Sequence, residues 1–163
     1  MAERFKEWAT AGSPIENALL IAAHLCDIEK VRELGANKGA WVERFLGAVG
    51  LPGGYAWCAA FVSFCLKSGG YTAGPKLPAA VRNWASWAKA EGRVVEAPRR
   101  GDLGFWLNPD GTGHIFFVAN PAGVMVKTIE GNSNVAGSRD GDGVYRNNRP
   151  ITGGPHKLQF IRL

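Results

Sequence analysis

Apolar residues recur at Ile15, Leu19, Ala22, Ala23 and Cys26, the three-and-four spacing of one helix face. Ser13-Pro14-Ile15-Glu16 supplies the matching start, with a capping hydroxyl, a proline at the first helical position and an acid after it. Asp27 to Lys38 is charged and reads as a short helical turn and then a loop. Ala40 to Val49 predicts a second helix, with Trp41, Phe45 and Val49 on one face and Glu43 and Arg44 on the other. Gly53-Gly54 then breaks the chain. An almost unbroken apolar run follows from Tyr55 to Leu66, and Gly69-Gly70 stops it. Glycines on both sides of so long a run favour a buried helix over a strand. Tyr71 to Pro78 is a loop. Ala79 to Glu91 is helical, with Val81, Trp84, Ala85 and Ala88 on one stripe and Trp87 off it.

Beyond residue 100 the period changes. Gly101 to Leu107, His114 to Ala119, Val124 to Glu130 and Lys157 to Leu163 read as strands separated by Gly, Pro, Asn and Asp. Helices first and strands second predict an α+β fold with an antiparallel sheet. Asn120-Pro121-Ala122-Gly123-Val124 suits a three-residue hairpin loop with a left-handed glycine. That loop sets Asn120 opposite Val124 and, counting outward, His114 opposite Glu130 on a shared face. Asn132 follows on that face if the strand continues. No repeat, low-complexity segment or linker divides residues 1–163, so a single domain is expected, with residues 1–13 loosely ordered.

Composition adds a sizeable core and few extremes. The chain has 163 residues, 46% of them hydrophobic, and a formal charge of +5. The charge suits an anionic partner such as a cell-wall polymer, and equally suits plain solubility. No run of Lys and Arg interleaved with aromatics marks a nucleic-acid groove. The first eight residues lack the apolar stretch of a secretory signal, and Ala18 to Cys26 is too short to span a membrane. Synthesis in the cytoplasm is therefore expected, with delivery by something else if the target lies outside. Three cysteines, Cys26, Cys58 and Cys65, cannot all pair. Two helical turns, roughly 10 Å, separate Cys58 from Cys65, beyond disulfide reach. No zinc spacing is present, and no cofactor or metal is expected.

Cys58 falls in the first turn of the apolar helix, where free N–H groups and the helix dipole stabilise a thiolate. A helix-start cysteine alone is more often a buried structural residue; it needs a base. His114 heads a strand that is apolar on both faces, and Glu130 sits beside it by the hairpin count. A cysteine, a histidine and a carboxylate that orients the imidazole form a nucleophilic triad.

At these residues the chain resembles the CHAP domain, the cysteine- and histidine-dependent amidohydrolase/peptidase family of the papain-like superfamily. The resemblance rests on Gly54-Tyr55-Ala56-Trp57-Cys58-Ala59-Ala60-Phe61-Val62, Gly101-Asp102-Leu103, Gly113-His114-Ile115 and Thr128-Ile129-Glu130-Gly131-Asn132-Ser133-Asn134. It implies a papain-like fold and cleavage of amide bonds in bacterial peptidoglycan, as a lysin, a tail-borne enzyme or a delivered toxin. It also implies roles: Cys58 nucleophile, His114 base, Glu130 orienter and Asn132 auxiliary. Tyr55, Trp57, Trp87 and Trp106 are the aromatic candidates for substrate contact.

Some members of the family bind calcium through acids just before the cysteine. Ala48 to Trp57 contains none, so no calcium site is expected there. Gly137-Ser138-Arg139-Asp140-Gly141-Asp142-Gly143 mimics a metal loop but lacks its spacing, and reads as a solvated turn before a strand. Expected partners are peptidoglycan and an inhibitor, immunity or delivery protein, with no nucleic acid or membrane partner, and the chain is expected to be a monomer. The rival functions are cysteine chemistry on a non-wall amide or protein, including acyl transfer, and wall binding by an inactive scaffold.

Overall fold

A computed structural model of the protein describes residues 12–137 and 140–163. Most of the segment expected to be loosely ordered, residues 1–11, lies outside the described residues, as do Ser138 and Arg139 of the Gly/Asp loop. Among the described residues, four helices precede the sheet: α1 (Pro14–Asp27), α2 (Ala40–Gly47), α3 (Cys58–Ser68) and α4 (Val81–Ala90). Six strands follow: β1 (Val94–Val95), β2 (Leu103–Leu107), β3 (Gly113–Ala122), β4 (Met125–Ser133), β5 (Gly143–Pro150) and β6 (Gln159–Ile161). They form one antiparallel sheet in the order β1-β6-β2-β3-β4-β5. The α+β papain-like arrangement, helices packed on a C-terminal antiparallel sheet, is the one expected.

The cap of α1 forms as its sequence dictates: Ser13 Oγ accepts from the Glu16 N–H at 3.3 Å. The apolar helix α3 is buried nearly all round because it lies between α1, α2 and strands β3 and β4. Two glycines permit this close packing. A Cβ on Gly69 would lie 2.6 Å from Ala18 N and Pro14 O of α1, and one on Gly131 would lie 2.6 Å from Phe61 of α3. Phe61, Phe45, Trp57 and Phe117 meet edge-on or tilted at the centre of this layer, with ring centroids 5.5 to 6.5 Å apart. Residues 28–39 make no helix. They run as turns, and Arg32 instead bridges Gly143 at the start of β5.

The hairpin between β3 and β4 departs from the expected register. Ala122 pairs with Met125, so the tip is the two residues Gly123 and Val124, with Gly123 left-handed at φ 64°. Pro121 is no turn residue. It pairs with Val126 inside the strand, and is tolerated there because β2 begins only opposite Phe117 and leaves this part of β3 an edge. A bulge then passes over Ala119: Asn120 pairs with Lys127, but Val118 pairs with Thr128 and Phe117 with Ile129. The register thus differs from the expected one by two residues, and a shift of two keeps every side chain on its face. His114 and Glu130 still share a face, diagonally rather than directly opposite. Without the bulge, Phe117 would pair with Glu130, and the carboxylate would face away from His114.

Ile115, Phe117 and Ile129 point to the helices and belong to the main core. The alternate positions, Trp106, His114, Phe116, Thr128 and Glu130, occupy the opposite face. A small apolar cluster of Val118, Val126 and Phe160 closes one end of that face.

Candidate active site

Cys58 is the first residue of α3 and is buried, with 5% of its surface accessible. Trp57, the preceding residue, offers no side-chain cap, so the helix start keeps free N–H groups beside the thiol. His114 stands where β3 begins and is fully buried. Its Nε2 lies 3.0 Å from Glu130 Oε2. Nδ1 makes no tight hydrogen bond, and the Cys58 thiol is the group set against it. Burial pushes the thiol up, but the hydrogen-bonding contact and charge of His114, with the N–H groups of Ile115 and Ala59, outweigh it and hold Cys58 below the usual thiol range. For His114 burial works downward. Cys58 and Glu130 on its two sides overcome that and raise it to about 9.

The other two cysteines lack such a neighbour. Burial pushes Cys26 up to about 11 and Cys65 well above the usual range.

Glu130 is the most heavily bonded side chain of the site. It accepts from His114 Nε2, Thr128 Oγ1 (2.5 Å), Ser133 Oγ (3.1 Å), Arg149 Nε (2.6 Å) and Arg149 Nη2 (2.5 Å). Burial would raise its pKa, yet the bonds and charges of His114 and Arg149 bring it to about 2. It is a carboxylate at any working pH. Asn132 is fully buried, with its backbone in the left-handed region at φ 54°, so strand alternation breaks there. Neither end of its amide has a hydrogen-bond partner.

Arg149 is the residue that sequence reasoning missed. It lies on β5, a strand outside those expected by period, whose residues are mostly polar. A signal was present in the alternation of Tyr145, Asn147 and Arg149. These pair with Glu130, Thr128 and Val126 and therefore share the face of Glu130. The short strand β1 was missed as well; two residues leave no pattern to read.

The aromatic candidates divide. Tyr55 is 53% exposed, three residues ahead of Cys58. Trp106 packs on the His114 ring at 4.9 Å and is stacked on His156 at 4.3 Å, which buries it. Trp57 corrects the expectation of a substrate contact: it is fully buried against Phe45 and Phe61, and its indole N–H donates to Glu33 Oε1 at 2.7 Å. The core surrounds it because it is the last residue before a buried helix. Trp87 on α4 packs edge-on against Trp84 and beneath Arg93. Among the described residues no three His, Cys, Asp or Glu side chains gather as a metal-binding group.

A helix-start thiol, an imidazole on an antiparallel strand and a carboxylate behind it define the papain-like class of cysteine hydrolases. The CHAP domain family model matches residues 50–132, just over half of the chain, and the chain belongs to that family of amidohydrolases and peptidases. No curated protein and no solved structure matches the chain. The matched span includes Cys58, His114, Glu130 and Asn132; Arg149 lies beyond it.

Proposed function

We propose that the protein is a peptidoglycan hydrolase, an amidase or endopeptidase, that works through a thioester on Cys58. The observation that supports this most is a buried imidazole that Glu130 holds at 3.0 Å on one side and the Cys58 thiol approaches on the other, with the thiol held low and the imidazole held high. In this reading the Cys58 thiolate attacks an amide carbonyl. The N–H groups at the start of α3 stabilise the oxyanion. The His114 imidazolium gives its proton to the leaving amine, and the C–N bond breaks. His114, now neutral, takes a proton from water, which attacks the thioester and frees the acid and the Cys58 thiolate. Glu130 holds the ring so that Nδ1 faces sulfur and the imidazolium is stabilised. The formal charge of +5 suits an anionic wall polymer.

The test is turbidity loss of purified cell walls, with mass spectrometry of the released fragments. The wild-type protein is expected to clear walls and to create new amine and carboxyl ends at one type of amide bond. Cys58→Ser is expected to lose roughly 10³-fold or more, and Cys26→Ser and Cys65→Ser to keep most activity. Intact walls with the folded wild-type protein would direct the chemistry to another amide. An active Cys58→Ser would remove the nucleophile.

A further inference from the structure

Arg149 sends Nε and Nη2 to the two oxygens of Glu130, a two-pronged pair in which the carboxylate is fully buried and the arginine 9% exposed. Nη2 also donates to Gly137 O at 2.9 Å. The guanidinium lies over Trp106 at 4.7 Å and Phe116 at 5.3 Å, rings that themselves flank His114. Its length lets it span from its own partner Val126, past Thr128, to Glu130. A buried ion pair of this kind is weak evidence for added stability, because desolvation consumes much of the attraction. Its position behind the orienting carboxylate points to a different use.

The charges of the buried group decide what that use is. Among the described residues, the ionisable groups that face Glu130 are His114 from β3 and Arg149 from β5, with Cys58 of α3 beyond the imidazole. Thr128 and Ser133 add neutral hydroxyls, and His156 is stacked on Trp106. With thiolate, imidazolium, carboxylate and guanidinium all present, the group sums to zero. Without the guanidinium, forming the thiolate takes a buried neutral group to a net negative one, which a low-dielectric site disfavours.

We propose that Arg149 is a positioning residue of the reaction: it acts through Glu130, pinning the carboxylate toward His114 and supplying the positive charge that lets the Cys58 thiolate and His114 imidazolium coexist. This rests on Cys58 as the reacting thiol, and extends the nucleophilic machinery from three residues to four. The fourth comes from a strand outside the segment that defines the family match.

The experiment reads the thiol directly, without a substrate. The full-length protein and its variants are alkylated with iodoacetamide from pH 4 to pH 10, and the rate at Cys58 is followed by mass spectrometry of its peptide. Arg149→Met is expected to move the alkylation midpoint of Cys58 up by about one pH unit or more. Arg149→Gln is expected to shift it in the same direction, and it decides the matter if Arg149→Met fails to fold by circular dichroism. Arg149→Lys, which restores charge without the two-pronged geometry, is expected to recover at least half of the shift. A wild-type midpoint in the folded neutral variants, or no recovery with lysine, overturns the proposal and leaves Arg149 a packing residue. Failure of the wild-type protein to clear walls would refute the peptidoglycan reading while leaving these midpoints to decide on Arg149.

Discussion

Glu130 takes five hydrogen bonds from four side chains, and two of those donors carry charge. Glu130→Gln turns one acceptor oxygen into a donor within that ring of donors and strands the Arg149 guanidinium. Turnover is expected to fall ~10- to 1000-fold, less than on loss of the nucleophile. Breaking the buried pair adds a stability loss of about 3–5 kcal/mol. Wall hydrolysis by the folded variant and a thermal melt followed by circular dichroism measure the two effects; wild-type turnover would take the carboxylate out of the mechanism. Asn132→Ala separates its two effects differently. Its amide has no partner to lose, so the melt should change little, while turnover should drop by a smaller factor if the amide meets substrate. Unchanged turnover would make Asn132 a backbone-turn residue alone. Cys58 and His114 stand in sharp local patterns, a glycine break before a helix and the head of an apolar strand; Glu130 was set opposite His114 by a hairpin count that the structure shifts by two residues, so the shared face holds and the direct pairing does not. Arg149 was not legible, since its role depends on a contact between strands 19 residues apart.

At the scale of elements, the helices were readable to within two or three residues because each presents an apolar stripe to one core. The β3–β4 hairpin was harder. Its proline signals a turn, but the overhang beyond β2 makes a proline in the strand harmless, and only the assembled sheet reveals that overhang. The two-residue tip and the bulge at Ala119 each change the odd–even count, and together they cancel. Ala119 is the unpaired residue of the bulge, so deleting it leaves Asn120 opposite Lys127 and Val118 opposite Thr128. Wall hydrolysis and the alkylation rate of Cys58 are therefore expected to survive the deletion, because His114 keeps its face with Glu130. An inactive but folded deletion variant would mean that the bulge does more than absorb the extra residue.

Across the whole molecule, pH acts on the buried pair from both sides. His114 is raised from 6.5 to about 9, so its stabilising contribution is full below pH 6.5 and lost as pH rises through about 9. Glu130 is lowered from 4.5 to about 2, so its contribution is full above pH 4.5 and lost as pH falls toward 2. Melting temperature should hold a plateau through neutrality and fall at both ends. Hydrolysis should show an alkaline limb centred near 9, as the imidazolium loses the proton it must donate, and an acid limb set by protonation of the Cys58 thiolate. An alkaline limb near pH 6.5, that of an ordinary histidine, would contradict the charged pair.

The thiol belongs to the helical half of the chain; the imidazole, carboxylate and guanidinium all belong to the strand half. Neither half holds both the thiol and the imidazole beside it. During synthesis the helices leave the ribosome first, carrying only an ordinary thiol. In the proposed mechanism the thiol becomes reactive when β3 and β4 dock against α3 and β5 pairs with β4. The order of translation thus keeps the nascent protein chemically quiet until the sheet that controls it is in place.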